Sequence, residues 1–259
     1  MDLEWARLKS SELRALAERD AIVVVPVAAM EQHGPHLPVV VDSLLCAEVA
    51  LRTARRVAAR QPVVVAPTVW CGLSEHHMPF GGTFTLDFPT FAALLRCLCR
   101  SLVAQGFRRI FLLNGHGGNR WALRVVVDQL TGELGATLAT ATYWEPAAGA
   151  FARILEQQPG VQHACEAETS MVLALRPELV DEARFAEAKF TEPPHAVTQR
   201  GAHLWRPFAG RTPTGVIGDP TVASAAKGER LLDAAADAIA ELLLDPGCWT
   251  ANATSTADR

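Results

Sequence analysis

The stretch "AIVVVPVAAMEQHGPHLPVVVD", residues 21–42, decides the fold and raises the question of function. Residues 21–28 are a continuous, largely β-branched apolar run, which reads as a strand buried on both faces. Directly after it stand Glu31, His33, His36 and Asp42. A buried strand that hands over to so many titratable groups needs a chemical reason, because burying them unpaired is costly.

"PVVVAP" (62–67) reads as a second buried strand, and "RRIFLLN" (108–114) and "ATLATATYW" (136–144) as a third and a fourth strand. Helical spacing fills the intervals: 9–19 with Ser10 or Ser11 as cap, 42–60, a run from a Thr90 cap to Gly106, 119–134, and a closing amphipathic helix over 221–244. "SMVLAL", 170–175, suits a core helix or a strand. Strands and helices therefore alternate, which predicts an α/β fold with a mainly parallel central sheet covered on both faces. The 259 residues read as a single domain, with a disordered tail over about 250–259. The Pro- and Gly-rich stretch 191–220 reads as an irregular excursion, a lid or an oligomer contact, with His195 and His203 at the surface.

Composition excludes several classes. A net charge of -4 with 20% charged residues gives no electrostatic reason to bind nucleic acid. No apolar run approaches the roughly 20 residues of a membrane span. The N-terminus has no basic start followed by an apolar block, so a cytoplasmic chain with six reduced cysteines is expected.

In parallel α/β sheets, ligands gather beyond the carboxyl ends of the strands. Five of the eight histidines (33, 36, 76, 77 and 116) lie in the loops that follow the strands. Glu31 and His33 are two apart and share one face of an extended chain. Gly34, Pro35 and Pro38 make the next segment rich in turns and able to bring Asp42 back. Two carboxylates and an imidazole suit a divalent ion such as zinc, manganese or iron. One aspartate can bridge two ions, and paired ions make a strong nucleophile of water. The same groups can instead cap a helix and satisfy loop backbone; this stretch alone does not choose.

"NGHGGN", 114–119, tips the balance. His116 stands at a strand end among glycines that permit a tight turn and close approach to a ligand. The segment lacks the spacing and the Lys-Ser/Thr pair of a phosphate loop. Asn119 reads as a helix cap. In "HACEAETSMVLALRPELV", 163–180, helical spacing puts His163, Glu166 and Ser170 on one face and Glu168 elsewhere.

Taken in order over about residues 20–180, "MEQHGPHLPVVVD", "GLSEHHMPFGGTFTL", "NGHGGN" and "HACEAETS" resemble the signature blocks of the creatininase (creatinine amidohydrolase) family. The resemblance implies a three-layer α/β/α sandwich, two divalent ions per chain (Zn, Mn or Fe), hydrolysis of amide-type C–N bonds and a homo-oligomer, commonly a hexamer. It also implies Glu31, His33, Asp42 and His116 as metal ligands, with Asp42 the bridge. Creatininase carries a further glutamate two residues after the histidine of "NGH"; Gly118 stands there in this chain. Relatives with "HGGN" draw that acid from the third block, which makes Glu166 the expected ligand. Glu168 is the alternative for that place and otherwise a catalytic acid. Cys165 replaces the usual glycine, either narrowing the site or packing. His163 is the expected proton donor to the departing nitrogen. His36, Glu75, His77, Trp70 and Trp144 are expected substrate contacts, each equally able to serve loop or core.

The function expected is hydrolysis of a small cyclic amide, formamide or related compound by a metal-bridged hydroxide. The alternatives are trimming of a short modified peptide precursor, or a non-catalytic metal- or small-ligand-binding protein on the same scaffold. A nucleotide-binding α/β protein is weaker than either.

Overall fold

The computed structural model describes residues 2–193 and 200–250; His195 and the tail from 251 lie outside them. In chain order the elements are α1 (Ser10–Glu18), β1 (Ile22–Val27), α2 (Val41–Val57), β2 (Val63–Val65), α3 (Phe88–Ala104), β3 (Arg109–Asn114), α4 (Arg120–Leu134), β4 (Thr137–Thr142), α5 (Ala148–Ile154), α6 (Glu166–Leu175), α7 (Phe185–Ala188) and α8 (Ala225–Leu244). The strands form one parallel sheet in the order β2-β1-β3-β4.

Side chains along β1 and β3 alternate between two cores, as the two-residue period of a strand requires. Ile22, Val24, Phe111 and Leu113 pack with α2, α6 and α8. Val23, Val25, Val27, Ile110 and Leu112 pack with α1, α3 and α4. Helices therefore cover both faces, giving the three-layer α/β/α sandwich. Each such aliphatic side chain taken fully out of water contributes about 1.5–3 kcal/mol. Pro26 is tolerated in a central strand because its carbonyl, and so the N–H it lacks, faces the β2 side. There β2 has already ended at Val65, opposite Val24, and the carbonyl accepts from Val69 instead.

Three local expectations are corrected. Lys9, not a serine, precedes α1, and Glu12 reaches back to its backbone N–H. Asp87 caps α3 by accepting from the Thr90 N–H, so Thr90 lies inside the helix it was expected to cap. Asn119 sits at the head of α4 but makes no capping bond. Its side chain instead donates to the Ala28 carbonyl and accepts from the Leu73 N–H, tying three post-strand loops together.

The residues after β1, β2, β3 and β4 all emerge at the carboxyl edge of the sheet. Asp42 joins them because it occupies the first turn of α2, where a helix end favours negative charge. Gly115 lets that turn approach: a Cβ there would lie 2.5 Å from the Cys46 Cβ.

Candidate metal centre

Glu31, His33, Asp42, His116 and Glu168 converge at this edge, each at most 4% exposed. Asp42 faces two histidines with its two oxygens. Oδ1 lies 3.3 Å from His33 Nε2, and Oδ2 lies 3.0 Å from His116 Nδ1. Glu31 Oε1 lies 3.3 Å from His116 Nδ1. Glu168 Oε2 lies 3.9 Å from His33 Nε2. Among the described residues, donor atoms of four triads fall within 4.8 Å of one another: His33–Asp42–Glu168 and Glu31–Asp42–His116, which share Asp42, and Glu31–His33–His163 and Glu31–His76–His77, which share Glu31 with the second.

The hydrogen bonds fix which nitrogen of each ring faces inward. His33 Nδ1 donates to the Glu31 carbonyl at 3.0 Å, leaving Nε2 toward the carboxylates. His116 Nε2 donates to the Leu73 carbonyl at 3.1 Å, leaving Nδ1. The Asn114 side chain clamps the His116 backbone, accepting from its N–H and donating to its carbonyl. Ligating histidines are held this way, with the outer nitrogen donating to a carbonyl. Glu31 Oε2, His33 Nε2 and Asp42 Oδ2 are buried without a hydrogen-bond partner among the described residues. Carboxylate oxygens and imidazole nitrogens that face one another in a dry site call for a cation between them, a proton or a metal ion, so these residues fit a divalent ion.

Titration behaviour carries the same strain. Burial opposes charge on His33, but Asp42, Glu168 and Glu31 overcome it and raise its pKa to about 9. Burial opposes charge on His116 as well, and Glu31 and Asp42 again win, holding it well above the ordinary value. Burial resists ionisation of Asp42, yet His33 and His116 hold its carboxyl below the usual range. Burial, with Asp42 and Glu31 nearby, pushes Glu168 up to about 7 against the pull of His33.

Glu168 stands where Glu166 was expected. The spacing argument assumed a helix from His163, but the chain is not helical until Glu166, and Ala164 adopts a left-handed backbone with φ 51°. That turn directs the Ala164 N–H to Glu168 Oε2 at 2.5 Å and aims Glu168 into the centre. Glu166 points away, accepts from the Glu156 and Gln157 N–H groups, and pairs with Lys227 at 2.7 Å. Gly118 cannot carry the acid of creatininase, since a Cβ there would lie 2.3 Å from the Leu73 carbonyl oxygen and 2.4 Å from His116 Nε2.

The remaining expected residues divide. His163 donates from Nε2 to the Gln32 carbonyl at 2.8 Å, and its Nδ1 lies 3.7 Å from Glu31 Oε1. His77 accepts at Nδ1 from the Gln32 amide at 2.8 Å, so Nε2 donates toward Glu31 Oε1 at 3.3 Å. His36 is buried beside Thr169 Oγ1, at 2.9 Å, and the edge of Phe185, and supplies no donor atom to these triads. Glu75 is exposed. Trp70 is 49% exposed, edge-on to Phe84. Trp144 packs on Tyr143 and the core under α2, α6 and α8. Burial pushes the Cys165 thiol up to about 12, which disfavours the reactive thiolate. His203 is exposed.

Two contributors were not assigned from sequence. Gln32, between two ligands, fixes the His77 ring while its own oxygen accepts from Gly34. Phe208 seats its ring 4.2 Å from that of His77 and 4.8 Å from that of His163. Gln32 had a signal, its place in "EQH"; Phe208, in an irregular segment far along the chain, had none.

Comparison with known proteins agrees with this picture. The family model described as creatinine amidohydrolase matches residues 6–243. A mycofactocin precursor peptide peptidase of Mycolicibacterium smegmatis is 34% identical, over 86% of this chain and 85% of that protein. The creatinine amidohydrolase of Pseudomonas putida is 30% identical, over 93% of this chain and 94% of that protein. A zinc–zinc form of a mutant creatininase superposes with a TM-score of 0.78 at 28% identity, covering 94% of this chain and 97% of that one. The chain therefore belongs to the creatininase family of metal-dependent hydrolases.

Proposed function

We propose that this protein is a dinuclear amidohydrolase that cleaves a C–N bond of a compact amide, such as a cyclic amide or formamide. His33, Asp42 and Glu168 would hold one ion, and Glu31, Asp42 and His116 the other. The observation that carries the reading is the shared Asp42, whose two oxygens face two histidines of opposite triads. Divalent ions bound there supply Lewis acidity, lowering the pKa of water towards ~7 and drawing charge from the substrate carbonyl.

The chain's own residues do the rest. Gln32 and the Leu73 carbonyl hold the rings of His77 and His116 in their tautomers, so no reorganisation is needed as charge develops. His163 keeps its Nε2 proton on the Gln32 carbonyl. Burial holds this imidazole well below its ordinary pKa, so Nδ1 is free to take a proton from the attacking water. It then hands that proton to the departing nitrogen. Phe208, packed on His77 and His163, keeps bulk water from the transfer.

The test is metal analysis of the purified protein, followed by lactam and formamide substrates before and after chelation. Two ions per chain and activity restored by zinc or manganese are expected. Full hydrolysis by metal-free protein refutes the reading.

A second reading, trimming of a short peptide precursor, is favoured by two observations. Position 118 has no room for the acid of creatininase, and the peptidase relative without that family name matches at 34% against 30%. Short peptides assayed beside the lactams separate the two. A cytoplasmic homo-hexamer belongs to the same proposal and rests on family membership alone; sedimentation tests the assembly.

A further inference from the structure

The turn Phe208–Gly210 closes on itself, with Gly210 donating to Pro207, and Arg211 and Thr212 donating to Phe208. Side chains tie it to the centre. The Phe208 ring is 4% exposed and touches two histidine rings of the site, tilted 37° on His77 and edge-on at 70° to His163. The Arg211 guanidinium lies over the Phe208 ring at 4.9 Å. The same guanidinium donates from Nε and Nη2 to both oxygens of Glu192, at 2.8 and 2.6 Å. Downstream, the Gly215 carbonyl accepts from the Gln32 amide at 3.0 Å, so one end of the segment is pinned to the ligand loop itself.

We propose that Phe208 is the specificity-determining wall of the centre, and that the Arg211–Glu192 fork is the positioning pair that holds it there. The proposal rests on the metal reading above and adds the class of substrate that the site accepts. His163 Nδ1 serves the departing nitrogen, and the Phe208 ring stands edge-on to that imidazole. Bulk on the leaving group therefore meets the ring. A compact leaving group passes, and a large one enters only when the turn swings out, which costs the stacking on His77 and the fork to Glu192. A planar guanidinium under an aromatic ring, held by a bidentate carboxylate, is a stiff support, and lysine does not reproduce it.

The test uses the zinc-loaded full chain with Phe208→Ala, Phe208→Leu and Glu192→Gln. Pyridine-2,6-dicarboxylate is expected to strip zinc about tenfold faster from Phe208→Ala. Glu192→Gln, which weakens a part-buried ion pair, is expected to be about two- to fivefold faster. Phe208→Leu is expected near the parent rate, and zinc stoichiometry is unchanged in all three. Diethyl pyrocarbonate labelling of His77, mapped by mass spectrometry on metal-free protein, is expected in the same order. On amides that differ only in leaving-group size, Phe208→Ala raises kcat/KM for the bulky member about tenfold relative to the compact one. Glu192→Gln changes KM for the bulky member and leaves kcat. Stripping and labelling rates that match the parent in both Phe208→Ala and Glu192→Gln overturn the wall. A chain that takes up no zinc overturns the metal reading instead, and the labelling rates still decide whether Phe208 covers the centre.

Discussion

Two carboxylates stand two residues apart at the start of α6, both buried, and they meet opposite fates. Glu166 is satisfied within the fold by two backbone N–H groups and the Lys227 ammonium. Lys227 also donates to the Val222 carbonyl and pairs with Glu156, so the cluster joins α6, the head of α8 and the loop after α5. Glu168 enters a cluster that the described residues leave incomplete, with Glu31 Oε2, His33 Nε2 and Asp42 Oδ2 buried and without a hydrogen-bond partner among them. Burial of charge is common to both regions; what separates structure from chemistry is whether the chain itself completes the bonding. A self-completed buried pair contributes to folding, whereas an incomplete one is built around something not encoded in the chain.

The sharpest way to break this comparison is to remove the shared ligand. Asp42→Asn is expected to lower turnover by about 10³-fold or more and to abolish the two-ion stoichiometry, read by metal analysis and steady-state kinetics. Retained activity with two ions would mean that Asp42 does not bridge. The next effect pits the two glutamates against each other. Glu168→Gln is expected to lose metal and activity with little change in the thermal midpoint of the metal-free protein. Glu166→Gln is expected to keep metal but lose about 3 kcal/mol of stability, read by urea unfolding of the metal-loaded forms, because it leaves Lys227 without its buried partner. The reverse pattern would exchange their roles.

A smaller effect follows from protonation. His33 is raised from an ordinary 6.5 to about 9, so a proton and a metal ion compete for its Nε2. Metal affinity is expected to rise with pH between about 6 and 9, with proton release on loading that calorimetry in two buffers of different ionisation enthalpy measures. In metal-free protein the sign for stability is opposite. A raised folded-state pKa stabilises fully below 6.5, and that contribution is lost as pH climbs through about 9. The melting temperature of chelated protein should therefore fall toward pH 9.5, while the metal-loaded form holds. The smallest effect is a control far from either cluster. Asp87→Ala removes the cap of α3 and is expected to cost about 1 kcal/mol in unfolding, with metal content and turnover untouched.

Much of this was written locally. The apolar runs at 21–28, 62–67 and 108–114 became β1 to β3 because a buried parallel strand needs little but continuous apolar side chains, and the Thr/Ala alternation of 137–142 became the half-exposed edge strand β4. The loops beyond them carried Glu31, His33, Asp42 and His116 to one edge, as the topology of such sheets demands. The choice between Glu166 and Glu168 was not written there. It turned on Ala164, whose left-handed backbone no spacing rule anticipates, and which starts the helix three residues later than periodicity suggested. Phe208 was equally silent, since its contacts with His77 and His163 cross an irregular stretch with no period to read.

By itself, then, the sequence determined the alternation of strands and helices and the set of side chains delivered to the carboxyl edge, because both depend on local patterns of apolar and polar residues. Only the tertiary structure decided which carboxylate faces the histidines, which nitrogen of each ring is left free, and which aromatic ring walls the centre. Those choices depend on backbone turns and on hydrogen bonds between segments far apart in the chain, where one dihedral angle sends a side chain to a different partner.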